Sequence, residues 1–165
     1  MLGAMLLRGD FGDAELTDGP KQRKKLIELY RRFRPTLVLA HCAQDYHSDH
    51  RAASAIAEAA SWFCASAGHK STAAVMDKPP VVWQMDTLNM IGFEPGFYVD
   101  ISDYVDLKRR MLACHKSQLQ PGRDGGSASI EDQMLRQCQM RGAQAGIAAA
   151  EAFCIHPAWK RIGAW

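Results

Sequence analysis

The side chains best suited to chemistry lie together in one short stretch. Between positions 41 and 50 the chain carries three histidines and two aspartates: His41, Asp45, His47, Asp49 and His50. A neutral imidazole binds zinc through one ring nitrogen, while a nearby carboxylate can hold the proton on the other nitrogen. A His-x-x-His pair at a loop-to-helix junction can therefore supply one metal ligand and one catalytic imidazole. The alternative is a hydrophilic loop in which Asp49 only caps the following helix.

The segments around this cluster predict where it lies in the fold. Residues 36–41 are β-branched and apolar over the length of one strand, and the polar loop 42–49 follows at once. An alanine-rich helix is predicted from about His50 to Ala67. In open α/β sheets ligands bind outside the carboxyl ends of the strands, so the loop is placed for chemistry.

Other segments also alternate between strand and helix patterns. Strands are predicted at 81–85 and 97–101, with a further strand after 154, and helices at 20–34, 103–117 and 130–153. The Gly/Ser-rich stretch 120–129 is predicted to be a surface loop or lid. This order predicts an α/β, Rossmann-like layered fold with a mostly parallel sheet, in a single domain covering 1–165.

Composition excludes several partner classes. The formal net charge is +2 and basic residues are spread along the chain, which argues against nucleic acid as a partner. We see no apolar run of membrane-spanning length and no Cys-x-x-Cys pair. A cytoplasmic protein without a membrane partner is therefore expected.

Four further residues are candidates for a role near the cluster. Cys42 is interpreted as a small residue at a strand end, since no base is assigned to it. Asp86 follows a strand and could line a pocket. Arg141 and Glu151 are predicted to lie on one long helix, where they form surface salt bridges or contact a ligand.

The histidine cluster resembles a known family signature. Val38-Leu39-Ala40-His41 followed by Asp45-Tyr46-His47-Ser48-Asp49-His50-Arg51-Ala52 is similar to the second motif of the LmbE/PIG-L deacetylases, a His-Pro-Asp-His-Arg run after an apolar strand. Ser48 stands where proline is usual. Weaker similarities continue elsewhere: Asp13-Ala14-Glu15-Leu16 resembles the family's Asp-Gly-x-Leu turn, and the segments 97–102, 141–142 and 150–153 resemble later family elements.

The resemblance implies roles for four residues. His50 would be a zinc ligand, and His47 the imidazole that stabilises the oxyanion and protonates the leaving amine. Asp49 would orient His47, and Tyr46 would contact the tetrahedral intermediate. The implied activity is zinc-dependent removal of acetyl from an N-acetylglucosamine-type sugar conjugate, with an N-acetylated amino sugar as the substrate.

One part of the family pattern has no counterpart here. The first motif, Ala-His-Pro-Asp-Asp, is absent, and Met1-Leu2-Gly3-Ala4 resembles the segment after it, so the chain is expected to lack the first βα unit. Because His50 alone cannot hold zinc at useful affinity, zinc is expected to be weak or absent and activity impaired, unless His41, Asp45 or His47 completes the site. A homo-oligomer that pairs the exposed sheet edge is possible. The alternative function is a non-catalytic remnant of the same fold that acts in assembly or interaction.

Overall fold

The computed structural model describes residues 3–116 and 129–157. The bounds of its elements, in chain order, are α1 Pro20–Phe33, β1 Leu37–Ala40, α2 Ser48–Phe63, β2 Val81–Met85, β3 Phe97–Asp100, a 3-10 turn Ser102–Tyr104, α3 Val105–Leu112, α4 Ile130–Ala145 and β4 Ala150–Ile155. The loop predicted at 120–129 lies outside the described residues, except for Ser129. That serine caps α4 through a capping box with Asp132.

The four strands form one sheet in the order β1-β2-β4-β3. β1 pairs parallel with β2, and β4 runs antiparallel to both of its neighbours, β2 and β3. Three strands therefore run in one direction and β4 runs against them. The predicted α/β class is confirmed, with an antiparallel strand inside a sheet predicted to be mostly parallel.

The predicted helix over 130–153 is wrong in its last eight residues. α4 ends at Ala145, because Gly146 takes a left-handed conformation (φ 73°) and its amide bonds back to the carbonyls of Gly142 and Ala143. The following residues form β4, in which Ala150, Ala152 and Phe153 are buried. Alanine favours helix, but pairing on both sides within the sheet outweighs that local preference.

Helices cover the two faces of the sheet unequally. Val38, Ala40 and Val82 pack against α1 and α2 on one face. On the other side, Ile101 and Ala149 pack with Met134 and Cys138 of α4. Leu37 and Leu39 alternate with Val38 and Ala40 and are 38% and 51% exposed, so the second face of β1 is open to solvent.

A buried arginine ties α1 to the end of α2. The guanidinium of Arg31 donates hydrogen bonds to four backbone carbonyls, those of Phe63, Cys64, Ser66 and His69. These carbonyls lie at or just beyond the end of α2, and those of Phe63, Cys64 and Ser66 also accept backbone amides. Arg31 is only 3% exposed, so this one side chain adds hydrogen bonds from a buried charged donor to all four acceptors.

We expect Arg31→Met to lower the free energy of unfolding by about 3 kcal/mol, because several hydrogen bonds from a buried charged donor are lost. Arg32→Met, at the adjacent exposed position, is the matched control and should change stability by less than about 0.5 kcal/mol. Urea titration of the two variants measures the difference. Equal midpoints would show that water replaces Arg31 at these carbonyls.

The segment before α1 is anchored to the start of α2. The carboxylate of Asp49 accepts hydrogen bonds from the backbone amides of Ala14 (2.9 Å) and Leu16 (3.3 Å). Ala14 has a φ of 63°, in the left-handed region that favours glycine. This is the position where the resembling family turn carries glycine. The anchoring contact therefore holds an alanine in a conformation that costs it about 1 kcal/mol or more.

Ala14→Gly should raise the free energy of unfolding by up to about 1 kcal/mol, because relief of the left-handed strain exceeds the added entropy of the unfolded chain. Ala74→Gly is the control, since Ala74 is exposed and is not among the positive-φ residues. This control should leave stability unchanged or slightly lower. A thermal melt that ranks Ala14→Gly below the parent protein would contradict a strained turn.

Candidate metal and acid–base site

The candidate site lies where β1 ends and α2 begins. His41 directly follows Ala40, the last residue of β1, and α2 starts at Ser48 with His47 as its N-cap. The amide of Asp45 bonds to the carbonyl of Cys42, which closes a tight turn between the two elements. The sequence prediction that the cluster lies at the carboxyl end of a strand agrees with this placement.

Three of the five acidic and imidazole side chains converge. His41, Asp45 and His50 each offer a ligand atom, and these atoms lie within 4.8 Å of one another. The rings of His41 and His50 are stacked, with centroids 4.0 Å apart and planes 7° apart. Sequence reasoning named His50 as a ligand and left His41 and Asp45 as candidates to complete the site. The structure brings these three together.

The environment of His41 favours its neutral form. Burial lowers the pKa of His41, and repulsion from the neighbouring His50 and His47 lowers it further, against an opposing attraction from Asp45. A neutral imidazole has a free nitrogen lone pair, which is the form that binds metals. The ring is thus prepared for ligation at neutral pH.

The contact between Asp45 and His50 tests whether a metal fits here. His50 Nδ1 lies 3.0 Å from Asp45 Oδ1, yet this buried nitrogen has no hydrogen-bond partner among the described residues. Two atoms so close without hydrogen-bond alignment are expected where both point at a common third atom. Two imidazoles and a carboxylate also form a common ligand set of catalytic zinc sites, which keep one further position open. The residues present therefore fit a zinc ion.

His47 stands beside this group and is oriented by the helix. Its Nδ1 accepts a hydrogen bond from the amide of Asp49 (3.2 Å), so the proton of the neutral ring belongs on Nε2. Nε2 lies 3.8 Å from Asp13 Oδ1, and the ring centroid is 4.8 Å from that of His50. His47 therefore presents a protonated nitrogen next to the converging ligands.

The structure gives Asp49 different contacts from those the sequence suggested. Its amide bonds to His47, but its carboxylate is engaged by the amides of Ala14 and Leu16. The carboxylate near the outer nitrogen of His47 is that of Asp13. Sequence reasoning did not name Asp13 as a site residue, because only a turn resemblance far upstream of the cluster pointed to it. The orienting role of Asp49 stays a prediction.

Tyr46 lies at the mouth of the cluster. It is 63% exposed, and its ring meets those of His47 and His50 edge-on at 6.0 Å. Arg51 holds the loop beneath it by donating to the carbonyls of Asp45 and Tyr46. The predicted substrate contact by Tyr46 is compatible with this position, and its role stays a prediction.

Cys42 is packed next to the site as a neutral thiol. It is 3% exposed, and burial raises the pKa of its thiol, with further contributions from Asp45 and Asp86. A thiol held in its protonated form is a poor nucleophile. The interpretation of Cys42 as a small packing residue agrees with this environment.

Arg141 and Glu151 do not share a helix, which corrects the sequence prediction. Arg141 lies on α4 and forms an ion pair with Asp86 (2.7 Å), while Glu151 lies on β4 and pairs with Lys108. The side chains of Arg141 and Asp86 are only 5% and 6% exposed. The predicted surface salt bridge is thus a buried one, with a different partner.

None of the helices in the described ranges combines the length and the apolar character needed to cross a bilayer.

Comparisons with known proteins connect this site to one family. Residues 2–61, which contain the whole cluster, match the family described as PIG-L, GlcNAc-PI de-N-acetylase. The diacetylchitobiose deacetylase of Thermococcus kodakarensis is 29% identical over 116 residues, which are 66% of this chain and 42% of that protein. The 4-oxalmesaconate hydratase of Pseudomonas putida is 28% identical over 120 residues, 72% of this chain and 46% of that protein.

The fold agrees with these sequence matches. The crystal structure of the conserved protein TT1542 from Thermus thermophilus superposes with a TM-score of 0.75 at 29% identity, covering 90% of this chain and 64% of that one. The chain spans about half the length of the curated relatives it matches. Residues 2–61, which include the cluster and most of its two supporting helices, are similar to the PIG-L (LmbE-like) family.

Proposed function

We propose that this chain carries the metal and acid–base site of a zinc-dependent hydrolase that removes acetyl from an N-acetylglucosamine-type sugar conjugate. The observation that carries the proposal is the convergence of His41, Asp45 and His50. The relative named diacetylchitobiose deacetylase supports the substrate class, an N-acetylated amino sugar.

Zinc would be held by His41, Asp45 and His50, and when bound it supplies a Lewis acid that polarises the amide carbonyl. The buried carboxylate of Asp45, 5% exposed, favours a cation at this position. The neutral state of His41 is consistent with ligation.

His47 is suited to stabilise the developing oxyanion. Its Nε2 proton can donate to the carbonyl oxygen of the substrate as negative charge builds on it, while the Asp49 amide on Nδ1 fixes the rotation of the ring. Protonation of the leaving amine by the same ring requires a proton on Nδ1 as well, which would displace the Asp49 amide. Asp13 Oδ1 lies 3.8 Å from Nε2 of this ring.

The same geometry supports slow turnover by this chain. A hydrolase needs a general base besides its metal ligands. Asp45 serves here as a ligand, Asp49 accepts two backbone amides, and Asp13 faces His47. We therefore propose that hydrolysis by this chain is impaired; the expected weak zinc binding stays a prediction. A cytoplasmic location, a homo-oligomeric state and the absence of nucleic-acid and membrane partners stay predictions.

A hydratase is the second candidate function. Its support is that the hydratase relative matches as much of this chain, at nearly the same identity, as the deacetylase does. A metal that polarises a carbonyl could serve addition of water to a conjugated double bond as well as hydrolysis of an amide. The two candidates differ in product, which an assay separates directly.

Metal analysis tests the site itself. After zinc repletion and dialysis, we expect the chain to retain up to about one zinc, and His50→Ala to lower zinc affinity at least tenfold, because one of three ligands is removed. His69→Ala is the matched control, since His69 lies beyond the far end of α2, and should bind zinc like the parent. Zinc retained equally by both variants would place the metal elsewhere.

Product analysis tests the reaction. The zinc-loaded chain, incubated with N,N′-diacetylchitobiose, should release acetate slowly. The His47→Ala variant should release it about 100-fold more slowly, which is the effect of losing one hydrogen-bond donor to the oxyanion. The same samples given 4-oxalmesaconate should show no hydration. Hydration without acetate release would favour the second candidate, and bound zinc with neither product would favour the non-catalytic assembly role.

A further inference from the structure

A cavity of about 190 Å³ lies on the second face of the sheet, between β2, β4 and helices α3 and α4. Its walls include the apolar side chains of Leu39, Met85 and Phe153. Asp86, Lys108 and Arg141 supply polar groups. None of these residues belongs to the histidine cluster, so this is a second candidate site.

The buried ion pair in this cavity is incompletely satisfied. Arg141 Nε donates to Asp86 Oδ2 (2.7 Å), and Arg141 Nη1 donates to Gln144 Oε1 (2.8 Å). The remaining atoms, Asp86 Oδ1 and Arg141 Nη2, have no hydrogen-bond partner in the part of the chain that the structure describes. Buried polar atoms are nearly always paired in native proteins, so an acceptor and a donor on neighbouring side chains call for a bound partner.

The cavity is larger than the space needed by the water molecules that could pair with these two atoms. A water needs about 10–15 Å³ of such a volume, and this cavity offers more than ten times that. Its charges are balanced, because Lys108 pairs with Glu151 as Arg141 does with Asp86. A neutral polar ligand therefore fits better than an ion.

The free atoms define what such a ligand must present. It has to accept from Arg141 Nη2 and donate to Asp86 Oδ1 at adjacent positions, as the neighbouring hydroxyl groups of a sugar ring do. The C–H face of a pyranose is apolar and matches walls formed by Leu39, Met85 and Phe153. Both atoms are shielded in this structure, so a ligand would reach them only after the Asp86–Arg141 pair opens toward the cavity.

The cavity adjoins the histidine cluster. Leu39 lies two residues before His41 on β1, and the β1–β2 register pairs Ala40 with Gln84, which brings Asp86 level with Cys42. Adjacent strands are about 4.8 Å apart. The thiol of Cys42 lies in the electrostatic reach of both Asp45 and Asp86, so the two sites are neighbours at the carboxyl ends of β1 and β2.

We propose that the cavity between Asp86, Arg141 and the apolar wall of β1, β2 and β4 is a subsite for a sugar ring that does not react, held through two neighbouring hydroxyl groups. The proposal rests on the proposed function for its substrate class. It extends that function by assigning the subsite to residues on α4 and β2.

The test is binding of N,N′-diacetylchitobiose to the metal-free chain, followed by shifts of backbone amide resonances in NMR spectra. We expect the shifts to concentrate at residues 85–86, 137–141 and 150–153. Acetamide, which has the acetyl amide without the ring, should leave these resonances unchanged. The removal variant is Asp86→Leu combined with Arg141→Met, because an apolar pair of similar volume in place of a buried ion pair usually preserves folding.

The removal variant should bind at least about tenfold more weakly, since two hydrogen bonds to charged groups are lost. The matched control, Asp77→Leu with Arg34→Met, removes an exposed Asp–Arg pair of the same kind and should bind like the parent. Unchanged affinity in a folded removal variant, shifts confined to other residues, or the absence of binding at millimolar sugar would each overturn the proposal. If sugar binds at this cavity and the zinc-loaded chain releases no acetate, the subsite stands and the deacetylase function fails.

Discussion

The site depends on one buried carboxylate at the corner between β1 and α2. Asp45 Oδ1 accepts the backbone amide of His47 (2.9 Å) and faces His50 Nδ1 at 3.0 Å. The first contact shapes the loop as it enters the helix, and the second aligns the first-turn histidine with His41. Without Asp45 the loop would lose both its turn and the anionic member of the ligand set. A buried carboxylate is costly unless it is paired, so its position indicates a cation better than any single histidine does.

The surrounding structure holds this corner from three sides. Arg51 fixes the loop carbonyls of Asp45 and Tyr46 from within α2. Asp49 binds the segment before α1, which brings Asp13 toward His47. Arg31 anchors the opposite end of α2 to α1. A helix that is fixed at both ends keeps its N-terminal histidines in register with the strand, which is what preorganised ligation requires.

The two candidate sites share an origin in sheet topology. β1 and β2 are parallel, so the residues that follow them, His41 and Asp86, lie at the same edge of the sheet although they are far apart in sequence. The antiparallel β4 then brings Glu151 and Phe153 alongside them, and α4 supplies Arg141. A metal and acid–base cluster beside a neutral polar cavity is an arrangement suited to a substrate with a reacting amide and a ring that does not react.

The sequence alone determined the local features. Apolar and helical periodicity predicted α1, β1, β2 and β3. The density of imidazole and carboxylate groups in 41–50 located the cluster, because these groups lie within a few consecutive residues. Tertiary structure decided the rest. The alanines at 148–150 favour helix, but Gly146 ends α4 and residues 150–155 pair within the sheet as β4. Asp13 lies beside His47, and Arg141 pairs with Asp86. The carboxylate of Asp45 is buried at the site, whereas that of Asp49 accepts backbone amides. Each of these contacts joins elements distant in the chain, so its energy comes from packing and burial that no local pattern records.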